Sequence, residues 1–113
     1  MPEGKVFLFE RRRKVYIAGP MTGLPDFNFP AFHEAAARLR AMGHEVVSPA
    51  ELHEDTDKPW EFYMRAAIKA LMDCTAVYAL NGSSASKGAS IELQLARNLG
   101  MPVSYETTYR PTF

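Results

Sequence analysis

Cysteine is nearly absent from this chain. Cys74 is the only one, which excludes an intrachain disulfide and, with no Cys/His cluster around it, argues against a structural zinc site. Neither sign of charge is in excess: thirteen Lys and Arg offset thirteen Asp and Glu. No global field therefore draws the protein to a nucleic-acid polymer or an anionic membrane, and Arg11-Arg12-Arg13-Lys14 reads as a local, solvated patch. Long apolar runs are missing too. None approaches the ~20 residues of a membrane-spanning helix, and Val6 to Phe9 is too short for the core of a signal peptide. His33, His44 and His53 lack metal-ligand spacing, and His53-Glu54-Asp55 with Asp57 reads as a solvated acidic loop. The expectation from these absences is a cytoplasmic protein with no metal, no cofactor, no membrane and no nucleic-acid partner. Internal repeats and low-complexity segments are also absent.

What is present is an alternation of strand and helix signals along 113 residues, 47% of them hydrophobic, enough for one core. Val15-Tyr16-Ile17-Ala18 is a short β-rich run stopped by Gly19-Pro20. Phe32, Ala35, Ala36 and Leu39 then recur at helical spacing, with Asn28 as candidate cap, Pro30 in the first turn and Gly43 as the stop. A second strand is expected over Glu45-Val46-Val47-Ser48. Trp60, Tyr63, Met64, Ala67, Ile68, Leu71 and Met72 trace a second helix, with Pro59 in its first turn. Residues 76–80 form a third strand, a helix follows from Gly88 to Leu99, and residues 101–105 make a fourth strand. This order predicts an α/β fold: a small doubly wound, Rossmann/flavodoxin-like three-layer sandwich with a mostly parallel sheet of four or five strands. Residues 14–105 are read as the domain, 106–113 as a C-terminal tail, and 1–13 as an N-terminal extension in which Lys5-Val6-Phe7-Leu8-Phe9 is a candidate edge strand.

In such sheets ligands bind beyond the carboxyl ends of the strands. The loops expected there are Gly19 to Asp26 and Asn81 to Gly88. The second runs through Ser86-Lys87-Gly88-Ala89-Ser90-Ile91-Glu92 into a helix. Winding that helix at ~100° per residue puts Gly88, Ile91, Leu95, Ala96 and Leu99 on one apolar stripe, with Glu92 near its centre. An ionised carboxylate buried without partners is costly, so Glu92 reads as a pocket carboxylate or, alternatively, as a rim residue near a favourable helix N-terminus.

Two familiar signatures fail on inspection. Gly82 to Gly88 has the ingredients of a phosphate loop, but the nucleotide-triphosphatase pattern needs Gly before Lys, and here the order is reversed. Ser84-Ala-Ser-Lys87 fits a Ser-x-x-Lys acylase pattern in a chain too short for the rest of such an enzyme. What survives is a helix N-terminus with Ser83, Ser84, Ser86 and Gly88 before it, suited to a phosphate or polar sugar edge, or simply to capping by Ser86.

Val15-Tyr16-Ile17-Ala18-Gly19-Pro20-Met21-Thr22-Gly23, with Ser86-x-Gly88-x-x-x-Glu92 about seventy residues on, resembles the nucleoside 2-deoxyribosyltransferase-like superfamily, in particular a small branch bearing Gly-Pro-Met-Thr-Gly. Pro30-Ala31-Phe32, the stretch from Gly43 to Glu51, and Tyr63-Met64-Arg65 extend the likeness over roughly Lys14 to Val103. The resemblance implies that Glu92 is a nucleophile on the anomeric carbon of a 2-deoxyribosyl group, releasing the base and forming a glycosyl-enzyme intermediate that a second base or water resolves. It implies that Tyr16 supports this carboxylate. Gly19, Pro20, Met21 and Gly23 would line the loop over the nucleoside, and Ser86 with Gly88 would hold the sugar's 5′ side. Ser86 stands where the classical transferases have an Asp for the free hydroxyl, which favours a 5′-monophosphate. Ala67 stands where active relatives carry an acid that assists base departure, Thr75 replaces an acidic residue common in the branch, and Ser83 follows Gly82 where a Trp is usual. The functions these residues allow are an N-glycosidase or deoxyribosyltransferase, a nucleotide-binding module without chemistry, or a scaffold using exposed Phe7, Phe9, Tyr105, Tyr109 and Phe113. The resemblance also implies a homo-oligomer, dimer or larger, with pockets completed by a neighbouring subunit.

Overall fold

The computed structural model describes residues 11–52 and 57–106. The strands β1 (Lys14–Ala18), β2 (Glu45–Val47), β3 (Ala76–Ala79) and β4 (Val103–Tyr105) alternate with the helices α1 (Phe29–Ala41), α2 (Trp60–Met72) and α3 (Lys87–Asn98). All strand pairs are parallel, in the order β2-β1-β3-β4. The chain is therefore an α/β doubly wound fold of the flavodoxin-like type. The central strands β1 and β3 are buried almost throughout, as expected of strands covered on both faces. The edge strands are only three residues long, shorter than the four and five residues their sequences suggest. The candidate strand at Lys5 to Phe9 lies outside the described residues, as do Phe7, Phe9, Tyr109 and Phe113.

Strand order decides which face each helix covers. The connection from β1 to β2 moves one way across the sheet; that from β2 to β3 reverses past β1, and that from β3 to β4 continues in the new direction. Right-handed crossovers then place α1 on one face and α2 with α3 on the other. The core divides accordingly. Val15, Ile17, Phe32, Ala36, Leu39 and Tyr78 form one buried cluster beneath α1. Tyr16, Ala18, Ala67, Leu71, Val77, Ala89, Leu93 and Ala96 form the other. Alternate residues of β1 thus feed opposite clusters, as the two-residue period of a strand requires.

Several local expectations are corrected. Asn28 does not cap α1: it sits in the left-handed region at φ 61°, and its amide donates to Pro20 O at 3.0 Å. With Asp26 and Phe27 also at positive φ, residues 26–28 turn against the ordinary preference of L-residues, at a typical cost of about 1–3 kcal/mol each. Pro59 precedes α2 as its extended N-cap residue rather than entering the first turn. Gly43 does terminate α1, at φ +96°, the conformation that favours Gly just past a helix end.

Candidate functional site

The first turn of α3 is built by its serines. Ser86 is extended, and its Oγ accepts the Ala89 N–H at 3.3 Å, capping the helix. Ser83 is buried, and its hydroxyl faces the carbonyls of Leu80 (2.5 Å) and Ala18 (3.3 Å), joining the ends of β3 and β1. Ser90 donates to Ser84 O at 3.1 Å. The hydroxyls of Ser83 and Ser90 are thus engaged with the loop's own carbonyls, so Ser83 does not present its side chain to a ligand as the sequence suggested.

The loop after β1 locks against this one. A Cβ on Gly19 would lie 2.8 Å from Leu80 Cδ1, so only Gly allows the chain to leave β1 this close to the end of β3. A Cβ on Gly82 would meet Pro20 Cγ at 3.3 Å. Gly19 and Pro20 therefore do join the α3 loop. Farther along the loop after β1, Met21 packs against the cluster beneath α1 that contains Leu80, and Gly23 lies in an exposed turn with open space where a Cβ would stand.

Glu92 lies in the second turn of α3 and is 5% exposed. The buried residues of this helix are Ala89, Glu92, Leu93 and Ala96, while Ile91 and Leu99 are exposed. The buried face is therefore rotated by roughly a quarter turn from the apolar stripe read off the sequence. Glu92 belongs to both faces, between the sheet and α2. On the sheet side, Tyr16, fully buried, donates its hydroxyl to Glu92 Oε2 at 2.5 Å. Glu92 Oε1 carries no hydrogen bond among the described residues and is not among the side-chain atoms sealed from solvent. One carboxylate oxygen is thus anchored, and the other is tied to no donor among the described residues. Burial raises the Glu92 pKa to about 7, a rise opposed by the Tyr16 hydrogen bond, which favours the ionised form. Burial first, and then the neighbouring carboxylate, push the Tyr16 pKa well above its usual value, so its proton stays in place to donate.

On the α2 side, Gly88 is packed by residues whose place in the site the sequence did not suggest. A Cβ there would lie 3.3 Å from Met64 Sδ and 3.7 Å from Trp60 Cζ2. The Lys87 ammonium sits 4.3 Å from the centroid of the Trp60 ring, within cation–π range. Trp60 and Met64 were legible only as part of a helix's apolar face; their neighbourhood with α3 depends on how the two helices pack. Ala67 is buried in the cluster that also contains Tyr16 and Leu71. Thr75 lies at the opposite, amino end of β3, where its Oγ1 accepts the Lys14 N–H at 3.3 Å and its own N–H donates to Lys14 O at 2.8 Å. Among the described residues no group of three His, Cys, Asp or Glu converges to hold a metal ion, and no helix is long and apolar enough to cross a membrane.

A family profile described as Domain of unknown function (DUF4406) matches residues 13–105. Among curated proteins no sequence match is found. One similar solved structure is a 2-deoxyribosyltransferase from the psychrotolerant bacterium Bacillus psychrosaccharolyticus, with a TM-score of 0.64 and 24% identity, covering 88% of this chain and 77% of that one. At that identity the likeness is one of fold.

Proposed function

The chain belongs to the family described as Domain of unknown function (DUF4406), and from its site we propose that it is an N-glycosidase or deoxyribosyltransferase of 2′-deoxynucleoside 5′-monophosphates with Glu92 as nucleophile. The observation that carries this reading is the buried carboxylate itself: Oε2 is held by the fully buried Tyr16 hydroxyl, and Oε1 makes no hydrogen bond among the described residues. A carboxylate so placed has one oxygen fixed in direction and one available to attack an anomeric carbon, the arrangement retaining glycoside chemistry requires. In the first step the Oε1–C1′ bond forms as the C1′–N bond breaks, its electron pair going to the base nitrogen, which takes a proton from solvent; in the second a base or water bonds to C1′ as the Oε1–C1′ bond breaks with its pair returning to Glu92, and the surplus proton passes to solvent. The fold shared with a 2-deoxyribosyltransferase supports the assignment.

Gly19, Pro20, Met21 and Gly23 are proposed to lie over the nucleoside, and Ser86 with Gly88 to receive the 5′-phosphate at the N-terminus of α3, where free backbone amides and the helix dipole favour an anion. The unit that carries this function is proposed to be residues 14–105, acting as a homo-oligomer of dimer size or larger. A second reading, a nucleotide-binding module without turnover, is favoured by one observation: Ala67, where the deoxyribosyltransferase resemblance implies an assisting acid, is buried among apolar side chains and has no proton to give.

The test is incubation with a panel of deoxynucleoside 5′-monophosphates, scored for free base by chromatography and for binding by NMR shifts. Base release that Glu92→Gln abolishes is expected, with loss of roughly 10³-fold or more for removal of a nucleophile. Shifts without release would establish the binding module instead. Neither at millimolar ligand would overturn both readings.

A further inference from the structure

The loop that leads from β3 into α3 is fastened on two sides. Toward β1, the Leu80 N–H donates to Ala18 O at 2.8 Å, and the Ser83 hydroxyl faces the same carbonyl at 3.3 Å. Toward β4, the next N–H along the chain, that of Asn81, donates to Glu106 Oε1 at 3.0 Å. Successive backbone amides of a strand point to opposite sides, so this alternation is that of β3 carried past its end. The acceptor is what changes. On the β4 side the ladder runs from Val77 N–H to the Pro102 carbonyl, with Ala79 opposite Tyr105. Continued in the same register, it would give the Asn81 N–H the main-chain carbonyl of Glu106, and the Glu106 carboxylate takes that bond instead.

The carboxylate is itself held in place. Glu106 follows β4 directly, and its N–H donates to Ala79 O at 2.7 Å. Its Oε2 accepts from Arg38 Nη2 of α1 at 3.3 Å, and the Arg38 guanidinium lies 6.0 Å from the centre of the Tyr78 ring. Arg38 is half exposed and Glu106 mostly covered. Water therefore screens the ion pair, which adds little energy but fixes where the carboxylate points. An ionised acceptor also holds an amide more strongly than a carbonyl does. Beyond Asn81 the loop has little slack: the N–H groups of Ser83, Ala85 and Ser86 bond back to Leu80, Gly82 and Ser83, and Ser86 Oγ caps α3. A shift at Asn81 is thus passed on to Ser86 and the first turn of α3.

We propose that Glu106 is a positioning residue of the site: its carboxylate sets the start of the β3–α3 loop and so places Ser86 and Gly88 against the 5′-phosphate of the substrate. This rests on the reading of that loop as the phosphate-binding one. Glu106 touches no reacting atom and acts through Asn81 and the turns that follow it.

The experiment compares the full chain with its Glu106→Ala and Glu106→Gln variants on deoxynucleoside 5′-monophosphates and on the same nucleosides without phosphate. Binding is followed by NMR shifts and turnover by base release. Glu106→Ala should raise Kd and KM for the monophosphate about tenfold, the low end of what a hydrogen bond to a charged group is worth. It should leave kcat and the affinity for the nucleoside nearly unchanged. Glu106→Gln keeps a side-chain oxygen for the Asn81 N–H and gives up the ion pair with Arg38, so it should recover most of the loss. A merely structural role would lower the melting temperature without separating phosphorylated from unphosphorylated ligand. Unchanged monophosphate affinity in Glu106→Ala, an equal loss for the nucleoside, or no recovery in Glu106→Gln would overturn this proposal and leave the proposed reaction standing. If the wild-type chain neither binds nor cleaves a monophosphate, the functional reading falls and this proposal with it.

Discussion

At the amino ends of the strands Lys14 sits between Asp73, at 2.8 Å, and Glu45, at 3.7 Å, with both carboxylates well exposed. Lys14 and Glu45 line an open depression of about 330 Å³ together with Arg12, Arg13, Gly43 and Thr75. On the α3 face, toward the carboxyl ends, a single carboxylate is enclosed against a single phenol. The first arrangement has more charge and more room, yet water screens it, and such pairs contribute little to stability or to chemistry. The second has one charge and little solvent, so each partner changes the state of the other. Burial, rather than the number of charged groups or the size of a hollow, marks Glu92 as the group to explain.

Breaking the enclosed pair should have the largest effect. Glu92 has a folded-state pKa of about 7 against an ordinary 4.5. Between those values the unfolded chain has released the proton while the folded chain keeps it, so stability falls as pH rises through this window and is level above it. The loss is on the order of 3 kcal/mol for such a shift. Glu92→Gln, which carries no charge to bury, is therefore expected to be more stable than the wild type at pH 8 and to lose that advantage below pH 5. Calorimetric melting at the two pH values checks this; equal melting differences at both would show that burial does not disfavour the Glu92 charge. Activity, by the same titration, should rise toward neutral pH as Glu92 ionises.

Tyr16→Phe sharpens the contrast by keeping the packing and removing one hydrogen bond. Without the Tyr16 hydroxyl the ionised form of Glu92 loses its stabilising partner, so the rising limb of a pH–rate profile should move to higher pH. Turnover should fall about tenfold to a hundredfold, the worth of a hydrogen bond to a charged group. An unmoved limb would show that this bond does not set the ionisation of Glu92. The smallest effect is expected at the other end of the sheet. Asp73→Asn removes the nearest partner of Lys14, and neither the denaturation midpoint nor base release should change measurably. A marked loss of base release would make the two ends coupled.

The central strands were legible because a strand buried on both faces writes itself as an uninterrupted apolar run, as Val15 to Ala18 and Ala76 to Leu80 do. Helix α2 was legible over Trp60–Met72 because its apolar face repeats for three turns. The face of α3 was not. Ile91 and Leu99 are apolar but exposed, whereas the small Ala89 and Ala96 are buried, because close approach to the sheet selects small side chains and hydrophobicity alone does not say where that approach occurs. The end of β3 at which Thr75 stands is likewise a matter of strand direction. Thr75 lies at the end away from the loops, where it ties β3 to β1.

Local pattern, then, determined the alternation of strands and helices, the glycine at the exit of β1, and the presence of a carboxylate on a helix with an apolar side. These follow from steric and burial rules that act over a few residues. Tertiary structure alone decided that the Tyr16 hydroxyl reaches one oxygen of Glu92 across 76 positions of sequence, and that Trp60 and Met64 close on Gly88. Those facts depend on the strand order and on the reversal that brings α2 and α3 to one face, which no periodicity within a single segment records.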